Sequence, residues 1–186
     1  MLNRFLLMTL FPLACLKADW QPEKTSALVV GVLEWQDQGL ESFSKKGRKD
    51  RELYELLRRR GVPGRAMTLL LDEDATRTGI VQALKRTVSQ ESAFLFFYYA
   101  GHGLQDDRTY LANYDIVSDP ISNAVALSDL TAILKGFRGH TIMLSGDFCF
   151  SGSLQSVARE LARAGKKVIV LTSADATNIS TENWTF

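Results

Sequence analysis

The sequence predicts an α/β domain built on a mainly parallel sheet, and three observations lead there. Short apolar runs rich in Val, Leu and aromatic residues recur at residues 27–33, 67–71, 93–100, 141–145 and 168–172. Each has the length and composition of a strand buried on both faces. Between them lie stretches whose apolar residues repeat every three or four positions, the period of a helix with one face inward. Strands that alternate with helices of this length are joined by crossovers and lie parallel. The third observation is that two of the runs end in glycine-framed residues able to do chemistry, and the carboxyl edge of a parallel sheet is where ligands bind.

Each element follows from its own residues. The run at 27–33 is Val-rich, and the polar segment 34–47, with Gly39 inside it, is a loop. Over 48–60 Leu53, Leu56 and Leu57 share a helical face, and Gly61 with Pro63 stops the helix. After the second strand, Asp74 or Thr76 caps a helix carrying Ile80, Leu84 and Val88. The third strand is aromatic. Residues 105–120 are acidic and irregular, with Thr109-Tyr110-Leu111 as a small hairpin strand. Ser128 is expected to cap a third helix with Leu130, Ile133, Leu134 and Phe137 inward, and Leu154, Val157 and Leu161 form the stripe of a fourth, ended by Gly165. Residues 173–186 read as polar loop.

Composition narrows the function. Lys+Arg 22 against Asp+Glu 21 leaves a formal charge of +1, so there is no electrostatic case for nucleic acid. No apolar stretch approaches the roughly 18 residues of a membrane span. A peptide or small molecule is the expected partner. Residues 1–18 read as an export signal: Arg4, then an apolar run to Leu13, then Ala14 and Ala18. Export places the remaining domain, 19–186, in the periplasm or outside the cell; without cleavage it is cytoplasmic. Cys15 offers a lipoprotein anchor as the alternative, although Pro12 is unsuited to that signal. The only cysteines are Cys15 and Cys149, so signal removal leaves Cys149 without a partner, as a thiol to be flagged as reactive.

The chemistry gathers at one predicted edge. His102 follows the third strand in Tyr99-Ala100-Gly101-His102-Gly103, and Cys149 follows the fourth in Asp147-Phe148-Cys149-Phe150-Ser151-Gly152. A thiolate attacks an amide carbonyl, and a histidine near neutrality protonates the departing amine. The flanking glycines admit a substrate backbone and let an amide N–H face an oxyanion. Asp147, two residues before Cys149 on a strand-like path, would flank the nucleophile and favour a cationic side chain. His140, at the opposite end of its strand, reads as a surface residue. One cysteine and one histidine are too few for a zinc site.

These two motifs resemble the active-site motifs of the caspase–metacaspase family, closest to its prokaryotic metacaspase-like (orthocaspase) branch. Leu71-Asp72-Glu73-Asp74-Ala75-Thr76-Arg77, Thr109-Tyr110-Leu111 with Asp115, and Leu171-Thr172-Ser173-Ala174 with Ser180-Thr181-Glu182 are similar to further family segments. His102 and Cys149 also stand about fifty residues apart, the caspase spacing. The resemblance covers residues 26–186. It implies a caspase-like three-layer α/β/α sandwich with five or six central strands, and a cysteine endopeptidase acting after Arg or Lys. Cys149 would be the nucleophile and His102 the general acid/base. The N–H groups of Gly103 and Cys149 would form the oxyanion hole. Asp147, Asp37 on the loop after the first strand, and Ser173 would bind substrate.

No cofactor is required by the resemblance. Calcium activation occurs in the family, but Asp106, Asp107 and Asp119 do not match its ligands one by one. Phe150 replaces a histidine common after the nucleophile, and the family continues beyond Phe186 into a sixth strand and a last helix. The expectation is therefore a truncated chain, or one whose sheet a partner completes. The short, mostly helical link 152–167 predicts a single-chain enzyme that needs no activating cut there. Two other functions compete: an inactive caspase-like interaction module, and another cysteine-dependent acyl transferase or amidase.

Overall fold

The computed structural model describes residues 20–178, so the segment read as an export signal and the Ser180-Thr181-Glu182 match lie outside the described residues. In chain order the main elements are β1 (Thr25–Gly31), α1 (Lys49–Arg59), β2 (Met67–Leu71), α2 (Arg77–Ser89) and β3 (Phe94–Ala100). Three short strands follow, β4 (Gly103–Gln105), β5 (Thr109–Leu111) and β6 (Val117–Ser118), then β7 (Ile121–Ser122) and β8 (Val125–Ala126). After them come α3 (Leu127–Leu134), β9 (Thr141–Asp147), α4 (Leu154–Arg163) and β10 (Lys167–Thr172).

The central sheet has five strands in the order β10-β9-β3-β1-β2, every pair parallel. Alternation along each strand divides its side chains between two cores. Leu28, Val30, Leu95, Phe97, Tyr99, Ile142 and Leu144 face one way, where Ile80, Leu84, Leu130, Leu134, Val157 and Leu161 of α2, α3 and α4 cover them. Ala27, Val29, Phe96 and Tyr98 face the other way, against Leu57 of α1. Each fully buried Leu, Val or Phe stabilises by about 1.5–3 kcal/mol relative to exposure. That is why β1, in mid-sheet, is buried at every position.

The strand order reverses direction from β1, with β2 on one side and β3 on the other. The carboxyl ends of β1 and β3 at such a reversal are the usual ligand position in parallel sheets.

Four sequence expectations need correction. The first strand runs two residues earlier than 27–33; Val32 and Leu33 leave it, held by Val32 N–H to Ala100 O (2.9 Å) and Leu33 N–H to the Asp72 carboxylate (2.9 Å). Ser128 does not cap α3, which begins at Leu127. Val125 and Ala126 pair with β5, so the chain enters the helix directly from a strand. The Asp129 carboxylate accepts the Ala126 N–H (3.4 Å) in place of a capping hydroxyl. The stretch 105–120 is also less irregular than it reads: β4, β5 and β8 form a small antiparallel sheet, and β6 with β7 a hairpin. Such strands of two or three residues are too short to show alternation. Finally, β9 continues two residues past 145, to Asp147.

Candidate active site

Register brings the histidine and cysteine turns together. Ala100, the last residue of β3, pairs with Asp147, the last of β9, so His102 and Cys149 each lie two residues beyond the same rung. The Gly101 N–H bonds to Asp147 O (3.2 Å), which ties the turns together. Gly101 has φ +149°, and a side chain there would strike the Tyr99 hydroxyl and Val32 O. Gly103 is required for a different reason. A Cβ on it would overlap the Cys149 carbonyl and the Phe148 ring, so the backbones of the two turns are in contact.

His102 is half-buried. Its Nε2 lies 2.8 Å from the backbone carbonyl of Glu41. The ring packs against both Trp35 (4.5 Å between centroids) and Phe43 (4.4 Å). All three contacts come from the 34–47 loop after β1. Beneath it, the buried Tyr99 hydroxyl sits 2.9 Å from His102 O and 3.0 Å from Ala112 O. Burial pushes the Tyr99 phenol well above its ordinary pKa, against the bond to Ala112, and charge at Cys149 pushes the same way. The Tyr99 hydroxyl is thus within electrostatic reach of the sulfur.

Cys149 is half-buried and free. The chain bends at Phe148, whose ring is fully buried and edge-on to Tyr99 (5.5 Å). Phe150 adopts a left-handed conformation, φ 64°, a strained state for an aromatic residue of the kind that gathers at functional turns. The segment after β10 fastens this turn: Phe150 N–H to Asn178 O (2.9 Å), Gly152 N–H to Asp175 O (3.3 Å), and Ser151 Oγ with the Ala174 backbone. Asp175 in turn organises its own loop by accepting from Thr177 and Asn178.

Asp147 closes β9 half-buried, and among the described residues its carboxylate takes part in no hydrogen bond or ion pair. It points to the α1 side, where burial first, and then the charges of Asp147 and Asp50, raise the Tyr98 phenol. The same-side geometry of a strand ends at Asp147, because the chain turns at Phe148. Asp37 lies on the β1 loop as expected, but its carboxylate is occupied. It accepts from Ser118 Oγ and N–H (both 2.6 Å) and from Gly39 N–H (2.8 Å), and these bonds hold its pKa below the usual carboxylate value. Ser173 follows β10 and lines an open depression of about 620 Å³ with Gly152, Gln155 and Asp175. Its Oγ is buried and has no partner among the described residues. A second depression, about 460 Å³, lies between α3 and α4. Neither includes Cys149 or His102 in its lining, so backbone geometry, not cavity volume, marks this site.

His140 is exposed, as anticipated. Asp107 is paired with Arg108 (2.6 Å), and among the described residues no three His, Cys, Asp or Glu side chains gather to hold a metal. No described helix is long and apolar enough to cross a membrane. Sequence reasoning missed Trp35, Phe43, Glu41 and Tyr99. The available signal was two aromatic residues in a segment otherwise polar enough to be loop.

A parallel α/β/α sandwich with histidine and cysteine on adjacent strand tips is the architecture of a caspase-type cysteine peptidase. The chain belongs to that family: the caspase domain model (Peptidase_C14) matches residues 25–183. No curated protein sequence matches the chain. Among solved structures it is similar to the crystal structure of protein GSU0716 from Geobacter sulfurreducens. The TM-score is 0.66 at 17% identity, over 86% of this chain and 76% of that one, a likeness of fold alone.

Proposed function

We propose that this protein is a metacaspase-like cysteine endopeptidase that cleaves after Arg or Lys through a Cys149–His102 dyad. The observation that supports it is the pairing of Ala100 with Asp147, which leaves the His102 and Cys149 turns side by side at one edge of the sheet. The carbonyl of Glu41 only accepts, so the His102 Nε2 beside it carries a proton. Nδ1 is then the nitrogen that exchanges a proton with the thiol and the substrate. The Cys149 thiolate attacks the scissile carbonyl, and the N–H groups of Cys149 and Gly103 stabilise the oxyanion. The carbon–nitrogen bond then breaks, and His102 gives the amine its proton. Water, deprotonated by His102, hydrolyses the thioester and restores the thiol. The amino end of α4, just beyond this turn, favours the thiolate.

Asp147 is the specificity residue. A half-buried carboxylate with no protein partner among the described residues is satisfied by a guanidinium or ammonium. Ser173, whose buried hydroxyl has no partner among the described residues, serves the substrate side once the loop after β10 moves, and Asp37 contributes as the fixed end of the β1 loop. The enzyme works as a single chain after export of residues 19–186, needs no organic cofactor, and takes peptides or proteins as partners. A panel of fluorogenic peptides with Arg, Lys or Asp before the scissile bond, with and without calcium, tests this. Cleavage after Arg or Lys, lost in Cys149→Ala, is the expected result. Cleavage after Asp alone overturns the assignment of Asp147, and activity that survives Cys149→Ala overturns the dyad.

A further inference from the structure

Trp35 and Phe43 both pack against the imidazole of His102, at interplanar angles of 38° and 49°, and the three rings form one cluster. Both belong to one stretch of loop, and that stretch is closed at its neck. Lys45 bonds to Glu34 (2.6 Å) and to Asp72 (3.1 Å), and Phe43 N–H bonds to Leu33 O (2.8 Å). The two aromatic rings also meet edge to face (5.7 Å), and the Trp35 indole N–H bonds to Ala112 O (2.8 Å), which faces the Tyr99 hydroxyl. His102 itself stands on a glycine-flanked turn, whose backbone does little to restrict the ring.

We infer that Trp35 and Phe43 are positioning residues: an aromatic clamp, delivered by the β1 loop, that holds the His102 imidazole in the orientation needed for proton transfer. The inference rests on the proposed dyad. Two ring contacts and one nitrogen held by Glu41 O restrict the imidazole to an orientation in which the other nitrogen can serve the cysteine. A displacement of about 1 Å at such a group costs on the order of 100-fold in rate. Because the clamp touches the base and not the substrate, its loss acts on kcat rather than KM.

The test uses Trp35→Leu and Phe43→Leu, with Trp35→Phe as the conservative rescue. Phe43 is only half-buried, so its variant folds even where the loss of Trp35 does not. Expected is a fall in kcat of roughly 10- to 100-fold with KM changed by less than about twofold, largely restored in Trp35→Phe. A readout independent of turnover is carbethoxylation of His102 by diethylpyrocarbonate in a Cys149→Ala background, followed by peptide mass spectrometry. His140, the second of 2 histidines and exposed, is the internal reference. Opening the clamp should speed modification of His102 several-fold and leave His140 unchanged. Wild-type kcat in Phe43→Leu, or a fall in kcat without faster modification, overturns the clamp. A wild type that cleaves no peptide counts against the dyad alone, since the modification rates still report on the clamp.

Discussion

Gly103 and Cys149 touch backbone to backbone, so closely that no side chain fits at position 103. Residue 103 is therefore where the histidine and cysteine turns are locked together. Gly103→Ala should force them apart. Overpacking of this kind costs about 1–3 kcal/mol, read as a lower melting temperature. It should also move one oxyanion donor, and kcat should fall by about 100-fold or more. A variant with wild-type melting and turnover would show that the contact is dispensable.

Asp147 is the second test. Hydrogen bonds to charged groups contribute about 1.5–3 kcal/mol. Asp147→Asn should thus lower kcat/KM for Arg and Lys peptides by roughly 10- to 100-fold. Peptides with a neutral residue before the scissile bond should be affected little. Equal loss on all substrates would assign Asp147 to the architecture of the turn instead.

Acid stability should follow Asp72. Burial works against its charged form, but hydrogen bonds from Arg48 (2.5 Å), Leu33 N–H and Lys45 outweigh that and hold its pKa below the ordinary carboxylate value. A carboxylate depressed in the folded state binds fewer protons there than in the unfolded chain. Its contribution is complete above the unfolded pKa of about 3.9 and is lost as pH falls through the lower folded value. Melting temperature should therefore drop as the pH falls below about 4, and Asp72→Asn should flatten that slope while lowering stability at neutral pH. An unchanged slope would place acid sensitivity elsewhere.

The outer edge of β10 carries Ile169 and Leu171, 41% and 43% exposed, and has no strand partner among the described residues. Exposed apolar edges recruit other strands. Replacing both residues with Lys should reduce concentration-dependent association in light scattering without altering cleavage per active site. If association persists at the same concentration, another surface is responsible.

The five central strands, the helix between most of them, and the two glycine-framed turns were legible because burial on both faces and helical period leave local patterns. The small antiparallel sheet was not, since strands as short as Val125–Ala126 carry no periodicity. Nor was the start of α3, where strand pairing took the place of a capping hydroxyl. That His102, Cys149 and Asp147 lie at neighbouring strand ends could be read from residue type and position, whereas Trp35, Phe43 and Tyr99 looked like ordinary apolar residues.

From its sequence alone this chain determined which elements form and that a thiol and an imidazole sit at strand ends, because those properties depend on near neighbours. Only tertiary structure decided that β3 and β9 are adjacent, that Gly103 meets Cys149, and that a loop from β1 grips His102. Those contacts join residues tens of positions apart, and packing, not local preference, selects them.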